Sequence, residues 1–244
     1  YSVTDFDSRV TVDMDFLLRR VPNTPEQLKP VLEEIISTPT GNDFVTFEIK
    51  DIAPIVAAKK YAGIGASLVA RIKNTKTPFS IDFGVGDVIV PKQEKRRIPT
   101  QLDDFVAPTV NTYSLETTIA EKIDAILSLM EFSSRMKDYY DIYYLANKFD
   151  FDGATLTEAL KKTFENRSHA FTVEQFEQVM AFDDDEAMQK KWKAFCRKID
   201  TKTDDYSTVL RTIKDFLTKP FTAAVKGTGF TEHWSVSAGK WERK

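Results

Sequence analysis

The chain has 244 residues, 42% of them hydrophobic and 29% charged, enough for one large core or two modest ones and unlike a disordered chain. Its formal net charge of −3 excludes a globally basic nucleic-acid binder but leaves room for a local basic groove. One cysteine, Cys196, excludes an internal disulfide framework.

No apolar run approaches the roughly 18 residues of a membrane span, and the opening residues lack the basic and apolar regions of a secretory signal. A cytoplasmic protein with no membrane association is expected. The absence of an initiating methionine is read as a processed, fragmentary or engineered start.

In chain order, Arg9 to Leu18 alternates with period two: Val10, Val12, Met14 and Phe16 against Arg9, Thr11, Asp13 and Asp15. A half-buried strand is predicted, with two carboxylates on one face that either hold a hard divalent cation or repel each other. Thr24 then caps a helix opening at Pro25, with Pro30 near its first turn and Leu28, Val31, Leu32 and Ile35 as its apolar stripe. Ser37 to Asn42 breaks that helix. Strands are predicted over Phe44–Ile52, Ser67–Lys73 and Thr77–Val85, the last with Phe79, Ile81 and Phe83 on one face and Asp82 on the other. In a sheet that brings the first and last of these strands together, Asp13, Asp15 and Asp82 meet at one polar rim suited to two Mg²⁺ ions.

Lys92 to Arg97, with four positive charges in six residues, is either a solvated loop or a contact for a phosphate backbone. Pro99 and Pro108 make the following stretch an extended connection. The clearest helix spans Ser114 to Glu131, capped by Ser114 and striped by Leu115, Ile119, Ile123, Ile126 and Met130. Lys122 on the edge of that stripe either snorkels to water or delivers its ammonium into a site. A second helix covers Asp138 to Lys148, and spacing alone favours a capping Asp138 with an exposed Asp141.

Helices at 154–164, 173–181, 184–198 and 206–217 complete a helical carboxy-terminal region. Within it Lys190 to Lys198 interleaves Trp192 and Phe195 with five basic residues, an amphipathic helix or an RNA-facing surface. The predicted organisation is a sheet domain over 1–110, a helical region over 111–219 and an irregular tail over 220–244. Only His169 and His233 are present, neither near an acid or nucleophile in sequence, so histidine catalysis and a Cys/His zinc site lack support. No phosphate loop or dinucleotide fingerprint occurs. Carboxylate and lysine chemistry remains, which suits phosphoryl or nucleotidyl transfer.

Four pieces come in a telling order: Asp13-Met14-Asp15 preceded by Arg9 and Thr11, the strand Ser80 to Gly84, the helix Ser114 to Lys122, and Arg135 to Leu145. Over roughly residues 8–148 this order resembles the nucleotidyltransferases of the AbiEii/AbiGii toxin type. The resemblance implies an α+β fold, a nucleotidyltransferase-like mixed sheet with flanking helices and a polymerase-beta type of centre, followed by the mostly helical region. It implies that Asp13 and Asp15 are the metal-binding pair and Asp82 the third carboxylate. Lys122 would contact the triphosphate, with Arg9 and Asp141 also at the nucleotide, and Asp138 would complete the catalytic set. Glu116 and Glu121 match the motif around Lys122 as residues that orient the lysine and the Arg135/Lys137 turn.

The implied activity is that of a toxin with a cognate antitoxin: Mg²⁺-dependent transfer of NMP from an NTP to an acceptor, for some relatives the 3′ end of tRNA. A Gly-Gly or Gly-Ser turn that such enzymes carry before the acidic strand is absent ahead of Asp13, which is read as truncation. The alternatives are a catalytically silent member that binds nucleotide, RNA or antitoxin, and NMP transfer to a protein.

Overall fold

The computed structural model describes residues 13–19, 23–39, 41, 44–55, 63–100, 105–199 and 203–243, with the side chains of Asp13 and Glu131 left out of account. They fall into two units that divide between Asp87 and Val88.

In the first unit, β1 (Asp13–Leu17), α1 (Pro25–Ser37), β2 (Thr46–Pro54), β3 (Ile64–Ile72) and β4 (Thr75–Gly84) build a four-stranded sheet in the order β1-β4-β3-β2. β1 runs parallel to β4, whereas β2, β3 and β4 pair antiparallel, with a bulge between Ile49 and Asp51. The strand period of two sends Ile64, Ala66 and Leu68 of β3, and Ile81 and Phe83 of β4, into a core closed by Leu28 and Leu32 of α1. Each fully buried leucine there stabilises the fold by about 1.5–3 kcal/mol.

Thr24 caps α1 by accepting from the Gln27 amide, with Pro25 in the first turn. The buried stripe is narrower than expected. Leu28 and Leu32 are enclosed and Ile36 packs beside them, a strict i, i+4, i+8 row, while Ile35 is 60% exposed and Val31 lies at the margin. Pro30 stands inside the helix rather than in its first turn.

The second unit opens with a two-stranded ribbon, β5 (Glu94–Arg97) against β6 (Thr109–Thr112). These strands pair with each other and not with the sheet, which is why the division falls earlier than the 1–110 boundary read from the sequence. The basic run at 92–97 is therefore part strand: Arg96 turns inward and bonds Glu94, while Lys95 and Arg97 face solvent. Helices α2 (Leu115–Leu129), α3 (Met136–Lys148), α4 (Gly153–Arg167), α5 (Val173–Met180), α6 (Glu186–Ile199) and α7 (Tyr206–Lys226) surround a separate core that includes Ile119, Tyr139, Leu160, Phe176, Ile213 and Phe216. The α+β class is as expected, with the carboxy-terminal region helical.

The tail departs from expectation. α7 continues through Pro220 to Lys226, and the chain then forms β8 (His233–Ser235) and β9 (Lys240–Glu242), a hairpin added to the short strand β7 (Phe151–Asp152). Proline has no N–H, so Pro220 leaves the Phe216 carbonyl without its helical i+4 donor. The Trp241 indole Nε1 donates to that carbonyl at 2.8 Å. Trp234 does the same for the Ala146 carbonyl, one of the last four of α3, also at 2.8 Å. Among the described residues no helix is long and apolar enough to cross a membrane.

Candidate functional site

The described residues of the expected site fall into two clusters of charge, one in each unit. In the sheet unit, the parallel register sets Asp15 opposite Asp82 and Asp13 opposite Ser80. Register partners on neighbouring parallel strands present side chains to the same face about 4.8 Å apart. Asp82 lies opposite the core residues Ile81 and Phe83, so Asp15 and Asp82 share the face that α1 does not cover. Asp15 is exposed. On the other flank of Asp82 its antiparallel partner is Gly65, where an added Cβ would stand 3.5 Å from Asp82 Oδ1. Ile55 Cγ1 stands equally near that position, at 3.5 Å, so the carboxylate is flanked by an apolar side chain there.

Two carboxylates held this close repel each other, and a hard divalent cation with oxygen ligands relieves that repulsion. The described donor set thus fits Mg²⁺ as a start, with two of its ligands. Among the described residues no group of three metal-ligating side chains is assembled, and the Asp13 side chain lies outside them. Arg9 also lies outside the described residues.

In the helical unit, α2 supplies Lys122, and α3 supplies Asp138 and Asp141 one turn apart. Lys122 Nζ lies 2.6 Å from Asp141 Oδ2 and 3.4 Å from Asp138 Oδ1. Arg135 Nε donates to the other oxygen, Asp138 Oδ2, at 2.5 Å. Both aspartates are buried, overturning the expectation of an exposed Asp141; the side chains of Lys122 and Arg135 are 16% and 40% exposed. Anions lie inside and cations outside. The four formal charges cancel, and the edge that reaches solvent is lined by N–H donors, which suits a phosphate oxygen. Asp138, in the first turn of α3, also has the favourable position for a carboxylate at a helix N-terminus.

The local sequence explains why α2 holds its place. Ser114 Oγ accepts from the Thr117 amide at 3.1 Å and donates to the Val90 carbonyl, while the Val90 amide donates to Thr117 Oγ1 at 2.8 Å. Glu116, in the first turn, is held above the usual carboxylate range by burial, with Glu94 adding to the effect. Glu121 pairs with Arg167 at 3.4 Å. Arg167 also binds the buried Asp124 at 2.9 Å, and His169 Nδ1 approaches Asp124 Oδ1 at 2.7 Å.

His169 therefore has an acid partner 45 residues away in sequence, which local spacing could not reveal. Ser128 Oγ stands 3.5 Å from the same Nδ1. A Ser-His-Asp relay needs nucleophile and acid on opposite ring nitrogens, so this cluster is a clamp between α2 and the end of α4 rather than a hydrolytic triad. Sequence reasoning also missed Lys191, whose Nζ donates to the Ser133 carbonyl at 2.9 Å in the turn that leads to Arg135.

The family profile described as nucleotidyl transferase AbiEii toxin, type IV toxin–antitoxin system, matches residues 2–224. The chain belongs to the AbiEii family. AbiEii membership gives it the class of a nucleotidyltransferase of a toxin–antitoxin system, and implies an antitoxin partner. No curated protein matches significantly. Among solved structures, the chain is similar to a candidate nucleotidyltransferase from H. pylori (13% identity, 90% of this chain and 81% of that one, TM-score 0.45). It is similar also to JHP933 from Helicobacter pylori (12% identity, 90% and 82%, TM-score 0.45). The AbiEii match takes in the acid pair of β1 and β4, the Lys122 helix and the Asp138/Asp141 turn, and ends inside α7.

Proposed function

We propose that this AbiEii protein is a cytoplasmic Mg²⁺-dependent nucleotidyltransferase that moves NMP from an NTP to a hydroxyl of an RNA acceptor, the 3′ end of tRNA. The observation that carries this reading is the Asp15/Asp82 register pair, two carboxylates on one strand face in a chain of a nucleotidyltransferase family. In the reaction an acceptor oxygen bonds to the α-phosphorus, the bond from that phosphorus to the bridging oxygen breaks, and pyrophosphate leaves.

Asp15 and Asp82, with Asp13, would hold Mg²⁺, whose contribution when bound is to offset charge on the phosphates. Asp82 accepts the hydroxyl proton, directly or through water. In the helical unit, Lys122 presents its ammonium to triphosphate oxygens while Asp141 and Asp138 fix its position. Arg9 is assigned to the nucleotide by the family resemblance alone.

Incubation of the protein with each α-phosphate-labelled NTP, Mg²⁺ and total RNA tests the proposal. A labelled band destroyed by ribonuclease is expected. A labelled band resistant to ribonuclease and removed by protease would replace RNA with a protein acceptor. Nucleotide binding without labelled product would make the chain a silent member.

A further inference from the structure

We infer that the solvent face of α6 is the docking strip for the phosphate backbone of an RNA, an assignment that rests on the proposed RNA acceptor and identifies where its backbone is held. α6 buries Met188 and Trp192 and turns Phe195 towards Tyr140 of α3, with ring centroids 5.9 Å apart. The opposite face repeats basic residues at i, i+3 and i+7: Lys190, Lys193 and Arg197, all exposed, with Lys198 beside them.

Basic residues in a last turn complement the helix dipole, which accounts for Arg197 and Lys198 but not for Lys190 and Lys193 in mid-helix. Lys190 makes only an exposed pair with Glu186 at 3.5 Å, and among the described residues no carboxylate pairs with Lys193 or Arg197. Seven residues of helix advance about 10 Å. Over that length the three cations can each meet one phosphate of a strand, so the strip engages up to about three.

Its position is set by a contact to the candidate site. Lys191, on the flank of the strip, donates to the Ser133 carbonyl, and the Arg135 amide two residues on donates to Ser133 Oγ at 3.2 Å. The strip is thereby tied to the turn that carries the Lys122/Arg135 edge. A bilayer is the poorer partner, because the large apolar side chains of α6 face the core and leave no anchor for the acyl region.

The test is fluorescence anisotropy of a fluorescein-labelled RNA stem-loop with a single-stranded 3′ end, across a KCl series without NTP or Mg²⁺. It compares the full chain with Lys190→Glu/Lys193→Glu/Arg197→Glu, and with the milder triple change to glutamine should the first fail to fold. Binding weaker by about tenfold or more, and a log–log salt slope shallower by about 2 to 3, is expected of the variant. Equal affinity and slope, or no RNA binding by the unmodified protein, would overturn the inference. Because no transfer is measured, the result stands apart from the catalytic proposal: loss of RNA binding supports the strip even in a protein that transfers nothing, and intact binding in the variant removes it even from an active enzyme.

Discussion

At Lys122 a single ammonium serves two ends, since the group that would meet a phosphate also neutralises two buried carboxylates. Removing one partner of a buried ion pair costs about 3–5 kcal/mol. Lys122→Met should therefore lower stability by that order in urea unfolding, and adding Asp141→Asn should recover part of the loss, the double change costing less than the sum. The double variant also separates stability from chemistry: it should fold yet transfer NMP roughly a hundredfold or more slowly than the unmodified protein. Full activity in it would make Lys122 structural.

Glu116 gives a pH signature. Burial raises its pKa, so the native state holds this proton more tightly than the unfolded chain does. The resulting stabilisation is complete below the ordinary value of 4.5 and is lost as pH rises through the raised native value. Glu116→Gln should thus raise the thermal midpoint at neutral pH and lose that advantage below pH 4.5. A gain of equal size at both pH values would contradict this account.

Among the elements, α7 and the terminal hairpin depend on each other. Trp241→Phe keeps an aromatic ring beside Phe216 but removes the indole donor that serves the carbonyl left open by Pro220. A cost of about 1–3 kcal/mol is expected. It should shrink in a Pro220→Ala background, where the new amide can serve the same carbonyl; an undiminished cost would show that Trp241 acts through packing alone.

The same region shows where sequence patterning stops. The apolar rows of α2 and the alternation of β4 were legible because each is decided by neighbours within one element. The expected helix of 206–217 ends short of Pro220 because the donor that compensates for the proline arrives from 21 residues downstream. Asp141 was read as exposed because its burial depends on Lys122 of another helix, and the i, i+3 spacing of two aspartates carries no sign of a cation beyond it. The Asp15/Asp82 pairing lies between these cases: alternation gave each residue its face, but only strand order and register make them neighbours.

At the scale of the molecule, the two hydrophobic clusters share no residue, and all three tryptophans belong to the helical unit. Residues 88–244 expressed alone should therefore unfold cooperatively with an intact near-ultraviolet dichroism signal from Trp192, Trp234 and Trp241; a flat near-ultraviolet spectrum would show that this core needs the remainder of the chain. Transfer as proposed is an activity of the whole AbiEii protein and depends on carboxylates of the sheet unit. Its most direct test is pyrophosphate release and RNA labelling from α-phosphate-labelled NTPs by the full chain and by Asp15→Asn, a change at an exposed side chain that should leave folding intact. Labelled RNA and stoichiometric pyrophosphate are expected from the unmodified protein, and neither from a folded Asp15→Asn; equal labelling by the two, or none from the unmodified protein with any nucleotide, would rule out this centre.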